Sequence, residues 1–181
     1  LQPLLAEAGL QLREHDAIAF GRGPGSFTGV RTACSVAQGL GFGAGVPLLP
    51  VDTLLAVAEE ARHRFGAQQV LAVLDARMEQ VYSAAYDFSA QAAPVVEPQL
   101  SAPEELVLPP GFVLAGNAFE AYGGRLPAGG QPLSGPAPPA AVVRLAPGPS
   151  AQKTRNPSGS IRRANCSNTT ATCSAVPCWS R

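Results

Sequence analysis

Between residues 17 and 45 a short apolar run, "AIAFGRG", enters the glycine-rich loop "GPGSFTG" and continues without a break into "VRTACSVAQGLGFGAG". A strand stopped by glycines and followed at once by a helix is the unit of an α/β fold, and it constrains this chain more than any other feature. Ser26 or Thr28 is expected as the helix N-cap, because a hydroxyl there accepts from the free N–H groups of the first turn. The helix is expected to end near residue 42.

The loop is the wrong shape for the two familiar phosphate cradles. A P-loop requires a Gly-Lys pair, and the chain has none; the dinucleotide fingerprint requires a third glycine where Ser26 stands. Two readings of the loop remain open. One is an anion nest formed by the N–H groups of residues 25–29. The other, favoured here, is a tight turn whose glycines, Gly25 and Gly29 among them, adopt positive φ.

Behind the loop, Ala33, Ala37, Gly41 and Gly45 recur every four residues and form a ridge almost free of side chains. Such a ridge admits a second helix at close range, from the same domain or from a partner. Cys34 lies on an apolar helical stripe and reads as a buried free thiol.

The rest of the pattern extends the α/β reading. Leu1, Leu4, Leu5 and Ala8 share one helical face that ends at Gly9. "PLLPVDT" predicts a strand. "TLLAVAEEARHRF" predicts a helix capped by Thr53, with Leu54, Leu55, Ala58, Ala61 and Phe65 inward. Residues 70–88 predict an antiparallel hairpin, and "FVLAGNAFEAYG" repeats the strand, turn and helix. Asp75 and Arg77 are placed to pair across the hairpin turn, the Asp shaping it.

Charge divides the chain. Residues 1–120 hold all 13 acidic side chains against six arginines, a net −7, and residues 121–181 hold the other seven basic residues and no acid. The acidic part offers no surface for holding RNA or DNA unaided. His15 and His63 do not share an H-x-x-x-H pair, so no metal or triad constellation is read, and no catalytic residue is assigned.

From Gly123 the composition turns to Pro, Gly, Ala and Ser, and beyond residue 151 no period survives. That stretch is expected to be disordered or to be read out of frame. Cys166, Cys173 and Cys178 fit neither a zinc spacing nor a disulfide framework. The chain opens on "LQPLLAEAG", the middle of an amphipathic helix with no signal-peptide regions, and an N-terminal portion is expected to be missing.

Taken in order, "GPGSFTGVR", "AQGL", "DTL" and "DARMEQVY" resemble the bacterial TsaB (YeaZ) family over residues 1–123. The resemblance implies an ASKHA-like α/β fold, related to actin and Hsp70, with two ribonuclease-H-like halves and an N-terminal truncation. Residues 1–65 would be what remains of the first half, 66–123 part of the second, and 124–181 the tail. It implies a cytoplasmic, non-catalytic partner subunit of TsaD in forming N6-threonylcarbamoyladenosine at position 37 of tRNAs that read codons beginning with A. A TsaE-type ATPase would join the assembly, a homodimer is the competing association, and tRNA would be met only through the complex.

Carried over by residue, Gly23, Pro24, Gly25, Ser26, Phe27, Thr28, Gly29 and Arg31 match the family's glycine loop, and Asp75, Arg77 and Tyr82 match its hairpin motif. Leu4, Leu5, Ala8, Ala33, Ala37 and Gly41 would face the partner. No metal or cofactor is expected on this chain itself, with ATP or ADP admitted at the partner interface. The rival reading is an ASKHA-type enzyme fragment, a glycoprotease-like metalloenzyme or a small-molecule kinase.

Overall fold

Two parallel strands, β1 (Ile18–Gly21) and β2 (Leu48–Val51), flank the glycine loop and the long helix that follows it, α2 (Phe27–Ala44). The structure, a computed structural model, describes residues 1–89, 93–128, 130–132 and 138–145. A short helix α1 (Gln2–Glu7) precedes β1, and α3 (Thr53–Phe65) leaves β2. Ser26 caps α2, its Oγ accepting from the Gly29 N–H at 3.2 Å. The helix stops at Gly45, whose φ of 67° is the left-handed cap that a side chain resists.

The predicted cap of α3 moves back by one residue. Asp52 Oδ1, not the Thr53 hydroxyl, accepts from Leu54 N at 2.9 Å and Leu55 N at 3.4 Å. A carboxylate there also meets the positive end of the helix dipole. Leu54, Ala58 and Ala61 are buried as expected, whereas Phe65, on the last turn, is exposed.

The second sheet has five strands in the order β5-β4-β3-β6-β7: β3 (Gln69–Arg77), β4 (Gln80–Asp87), β5 (Ala93–Ser101), β6 (Val113–Gly116) and β7 (Gly130–Pro132). The β3–β4 and β4–β5 pairs are antiparallel, and β3–β6 and β6–β7 are parallel. β3 and β4 bury both faces. Val70, Ala72, Leu74, Ala84 and Tyr86 pack with Leu54, Val57, Ala58 and Ala61 of α3. Leu71, Val73, Val81 and Ala85 pack on the other side with Leu114, Ala118 and Tyr122. Tyr122 ends the short helix α4 (Phe119–Tyr122).

Residues Leu1–Pro147 form one compact unit. Within the stretch expected to carry no pattern lies α5 (Pro139–Leu145), which packs Ala141, fully buried, with Val51 and Ala56. Seven residues are too few for a helical period to show against a Pro- and Ala-rich background. The three cysteines near the C-terminus lie outside the described residues.

Candidate functional site

The glycine loop leaves the C-terminal end of β1 and is pinned to the start of α3. Thr53 N–H donates to the Gly23 carbonyl at 2.8 Å, and Arg22 lies 3.6 Å from the Asp52 carboxylate. The positive φ predicted for Gly25 and Gly29 belongs instead to Gly23, at 102°. Gly29 is helical, and a Cβ there would stand 2.6 Å from Ser26 Oγ, so its constraint is the cap rather than the backbone angle. Phe27 and Arg31 project outward from the first turn of α2, the guanidinium 3.6 Å from the ring centroid. Thr28 is also exposed.

The ridge on α2 splits. Ala37 and Gly41 are buried, and a Cβ on Gly41 would lie 2.7 Å from Leu48 Cδ2 and 3.0 Å from the Val46 carbonyl. Of these two positions, both predicted to face a partner, Gly41 instead seats α2 against its own β2 strand, and Ala37 is buried. Ala33 is half-buried, as is Cys34, and Gly45 is the cap. Outward from the same helix stand Phe27, Val36 and Phe42, the last 94% exposed. Gly39, between Val36 and Phe42, and Gly43, beyond Phe42, would meet nothing within 4 Å if given a Cβ. On α1, Leu4 is 67% exposed, Ala8 is exposed and Leu5 half-buried.

In the hairpin, Asp75 and Arg77 do meet. Arg77 N–H donates to Asp75 Oδ1 at 2.7 Å, and its guanidinium lies 3.3 Å from Oδ2. Tyr82 pairs with Leu74 and packs on the α3 side of the sheet, so it does not join them. Residues not predicted complete the cluster. The Tyr122 hydroxyl donates to Asp75 Oδ1 at 3.1 Å, and Asp75 N–H donates to Asn117 Oδ1 at 3.1 Å. Arg125 bridges Glu79 and Glu104. The Gly116-Asn117 pair ending β6 was the available signal, since a glycine at a strand end marks a close approach.

A second charged cluster joins α3 to α5. Glu59 and Glu60 are buried, with Arg144 Nε 3.1 Å from Glu59 Oε1 and its Nη2 bonded to Glu60 Oε2; Arg62 holds both oxygens of Glu59, and Arg64 the other oxygen of Glu60. Burial pushes both carboxyls up, but the arginine hydrogen bonds and charges outweigh it and hold both below the ordinary value. Among the described residues no group of three His, Cys, Asp or Glu is placed to hold a metal, and no helix is long and apolar enough to cross a membrane.

The family model described as "TsaD: tRNA N6-adenosine threonylcarbamoyltransferase" matches residues 1–128. The tRNA threonylcarbamoyladenosine biosynthesis protein TsaB of Haemophilus influenzae is 51% identical over 82 residues, 45% of this chain and 35% of that protein. Its namesake in Escherichia coli is 49% identical over 86 residues, covering 48% and 37%. YeaZ from Pseudomonas aeruginosa superposes with a TM-score of 0.71 at 36% identity, over 80% of this chain and 70% of that one. This chain belongs to the TsaB (YeaZ) family.

The ASKHA-like α/β fold expected from its motifs is the fold of that family. A second Pseudomonas aeruginosa structure, described as similar to peptidase YEAZ, superposes with a TM-score of 0.70 at 37% identity, covering 80% and 70%. The matched stretch spans little more than a third of the two TsaB proteins.

Proposed function

We propose that this chain serves tRNA threonylcarbamoyladenosine biosynthesis as a non-catalytic partner of a TsaD-type subunit, through the outward face of α2 and the exposed Leu4 of α1. The observation that carries this reading is the exposure of Phe27, Val36 and Phe42 along one helix, with Gly39 leaving the surface between Val36 and Phe42 flat. Large apolar side chains left in water beside one another, as Val36 and Phe42 are, are candidates for an interaction site. The partner-facing set is therefore Leu4, Phe27, Val36 and Phe42, with Ala33 at its edge and without Ala37 and Gly41. A nucleotide, ATP or ADP, would sit at that interface, a TsaE-type ATPase would join the assembly, and tRNA would be met through the complex, consistent with the net −7 of residues 1–120.

The test is titration calorimetry of the chain with a TsaD-type subunit. Phe42→Asp and Val36→Asp are expected to abolish the binding heat while leaving circular dichroism and melting unchanged, because neither side chain is buried. Undiminished binding by both variants sinks the assignment. Sedimentation of the chain alone distinguishes the homodimer, which would use the same face and be lost in the same variants. The enzyme reading draws on the transferase description of the matching family model. Stoichiometric iron or zinc in the purified chain would support it.

A further inference from the structure

Arg77, Met78 and Glu79 stand in succession at φ of 65°, 50° and 60°. They close the β3–β4 hairpin: Arg77 pairs with Gln80, leaving Met78 and Glu79 as a two-residue loop, and the register shifts between Asp75 and Arg77. Left-handed backbone at both loop positions follows the twist of the strands, but Asn and Gly are the residues that adopt it readily. Three side-chain-bearing residues in that region persist only where their surroundings hold them.

One group that holds them, Asp75, belongs to β3, and the others come from outside the hairpin. Asp75 fixes the Arg77 amide and is itself fixed by the Tyr122 hydroxyl and the Asn117 amide oxygen. Nothing in that set reaches Glu79. Arg125 does, donating to the Glu79 and Glu104 carboxylates with its guanidinium 5.6 Å from the Tyr122 ring. Met78, between the two anchor points, is 92% exposed, so apolar burial does not hold the tip.

The two anchors differ in character. Tyr122 is buried and the Asp75 side chain only 14% exposed, which shields that end from salt. The side chains of Arg125, Glu79 and Glu104 are exposed, and ion pairs of that kind are screened. The base of the turn is therefore fixed, and its far end is held by charge alone.

We propose that Arg125 is a positioning residue that latches the Arg77–Glu79 tip in its left-handed form, and that a charge competing for Arg125 releases the tip to a relaxed turn. The device acts locally, because the β3–β4 ladder below it is packed on both faces.

Amide exchange and HN–Hα couplings at residues 77–79 of the full chain test it, with the amides of Val70–Leu74 as the internal reference. Arg125→Met is expected to raise exchange at the tip roughly tenfold and shift the couplings of Met78 and Glu79, leaving the reference amides as they were. Arg125→Lys should restore much of the protection. Salt near 1 M, where the screening length is about 3 Å, should drive the native tip toward the Arg125→Met values and leave that variant unaffected. Glu79→Gln, an exposed change that leaves Arg125 paired with Glu104, should reproduce Arg125→Met at the tip. Native exchange and couplings in both Arg125→Met and Glu79→Gln overturn the proposal. So does equal loss of protection in the tip and the reference amides of Glu79→Gln.

Discussion

A Cβ on Gly41 would lie 2.7 Å from Cδ2 of Leu48, so helix α2 touches strand β2 where glycine leaves room for it. Gly41→Leu is accordingly expected to destabilise the chain by about 1–3 kcal/mol through overpacking. Gly39→Ala, two residues earlier on the open side, should stabilise it by roughly 0.5–1 kcal/mol, because alanine loses less entropy in a helix. Thermal melts of the two variants should move in opposite directions. A common direction would show that Gly41 does not face β2 or that Gly39 is not on the open side of α2.

Arg144 contacts both Glu59 and Glu60, each of which keeps one other arginine. Arg144→Met should cost roughly 2 kcal/mol, since it leaves the buried Glu60 Oε2 without its donor and takes one of two donors from Glu59 Oε1. Chemical denaturation of the variant against the native chain measures this, and a loss below about 0.5 kcal/mol would contradict it.

The same carboxylates set an acid limit. Both are held below their ordinary value of 4.5, so their contribution is complete above that pH and disappears as pH falls through the lowered folded values. Stability should decline from about pH 5 downward, and more shallowly in Arg144→Met, whose carboxyls lie nearer the unfolded value. Melting temperatures across that range would show parallel curves if the cluster plays no part.

Gly116 ends β6 at a φ of 150°, with the Val73 carbonyl oxygen 1.8 Å from where a Cβ would sit. Gly116→Ala should break the β3–β6 register at this pair, at a cost on the order of 3 kcal/mol. Lost protection of the Leu114–Gly116 amides would locate the damage; native protection there would refute it.

In the glycine loop, Gly23→Ala is expected to cost about 1–2 kcal/mol for its positive φ. Gly25→Ala should be close to neutral, as its Cβ would meet Val30 at an ordinary 3.5 Å. Equal melting of the two would remove the distinction between these positions.

Elements bounded by punctuation were legible from sequence: β1, α2, β2, α3 and the hairpin each begin or end at Gly, Pro, Ser or Asp. β5 was not, because Pro94 and Pro98 argue against a strand, yet both are tolerated on the edge of the sheet. The four-residue spacing of Ala33, Ala37 and Gly41 identified a shared face but carried no information about its direction. Phe42 and Val36, the opposite face, were the better guide to a surface. Asp75 and Arg77 were found because they are neighbours. Tyr122 and Arg125 were not, because their bonds to Asp75 and Glu79 span 47 and 46 residues.

Helix α3 buries seven of its 13 residues. Leu54, Val57, Ala58 and Ala61 belong to the core under the five-stranded sheet, Ala56 to the core with β2, and Glu59 and Glu60 to α5. The α3 contacts cross residue 65 and extend to α5. A break after residue 65 would strip α3 from the sheet face it covers, leaving only the opposite core of Leu71, Val73, Val81, Ala85, Leu114, Ala118 and Tyr122 intact. Unfolding should therefore proceed as a single cooperative event, with the α3 amides among the last to exchange.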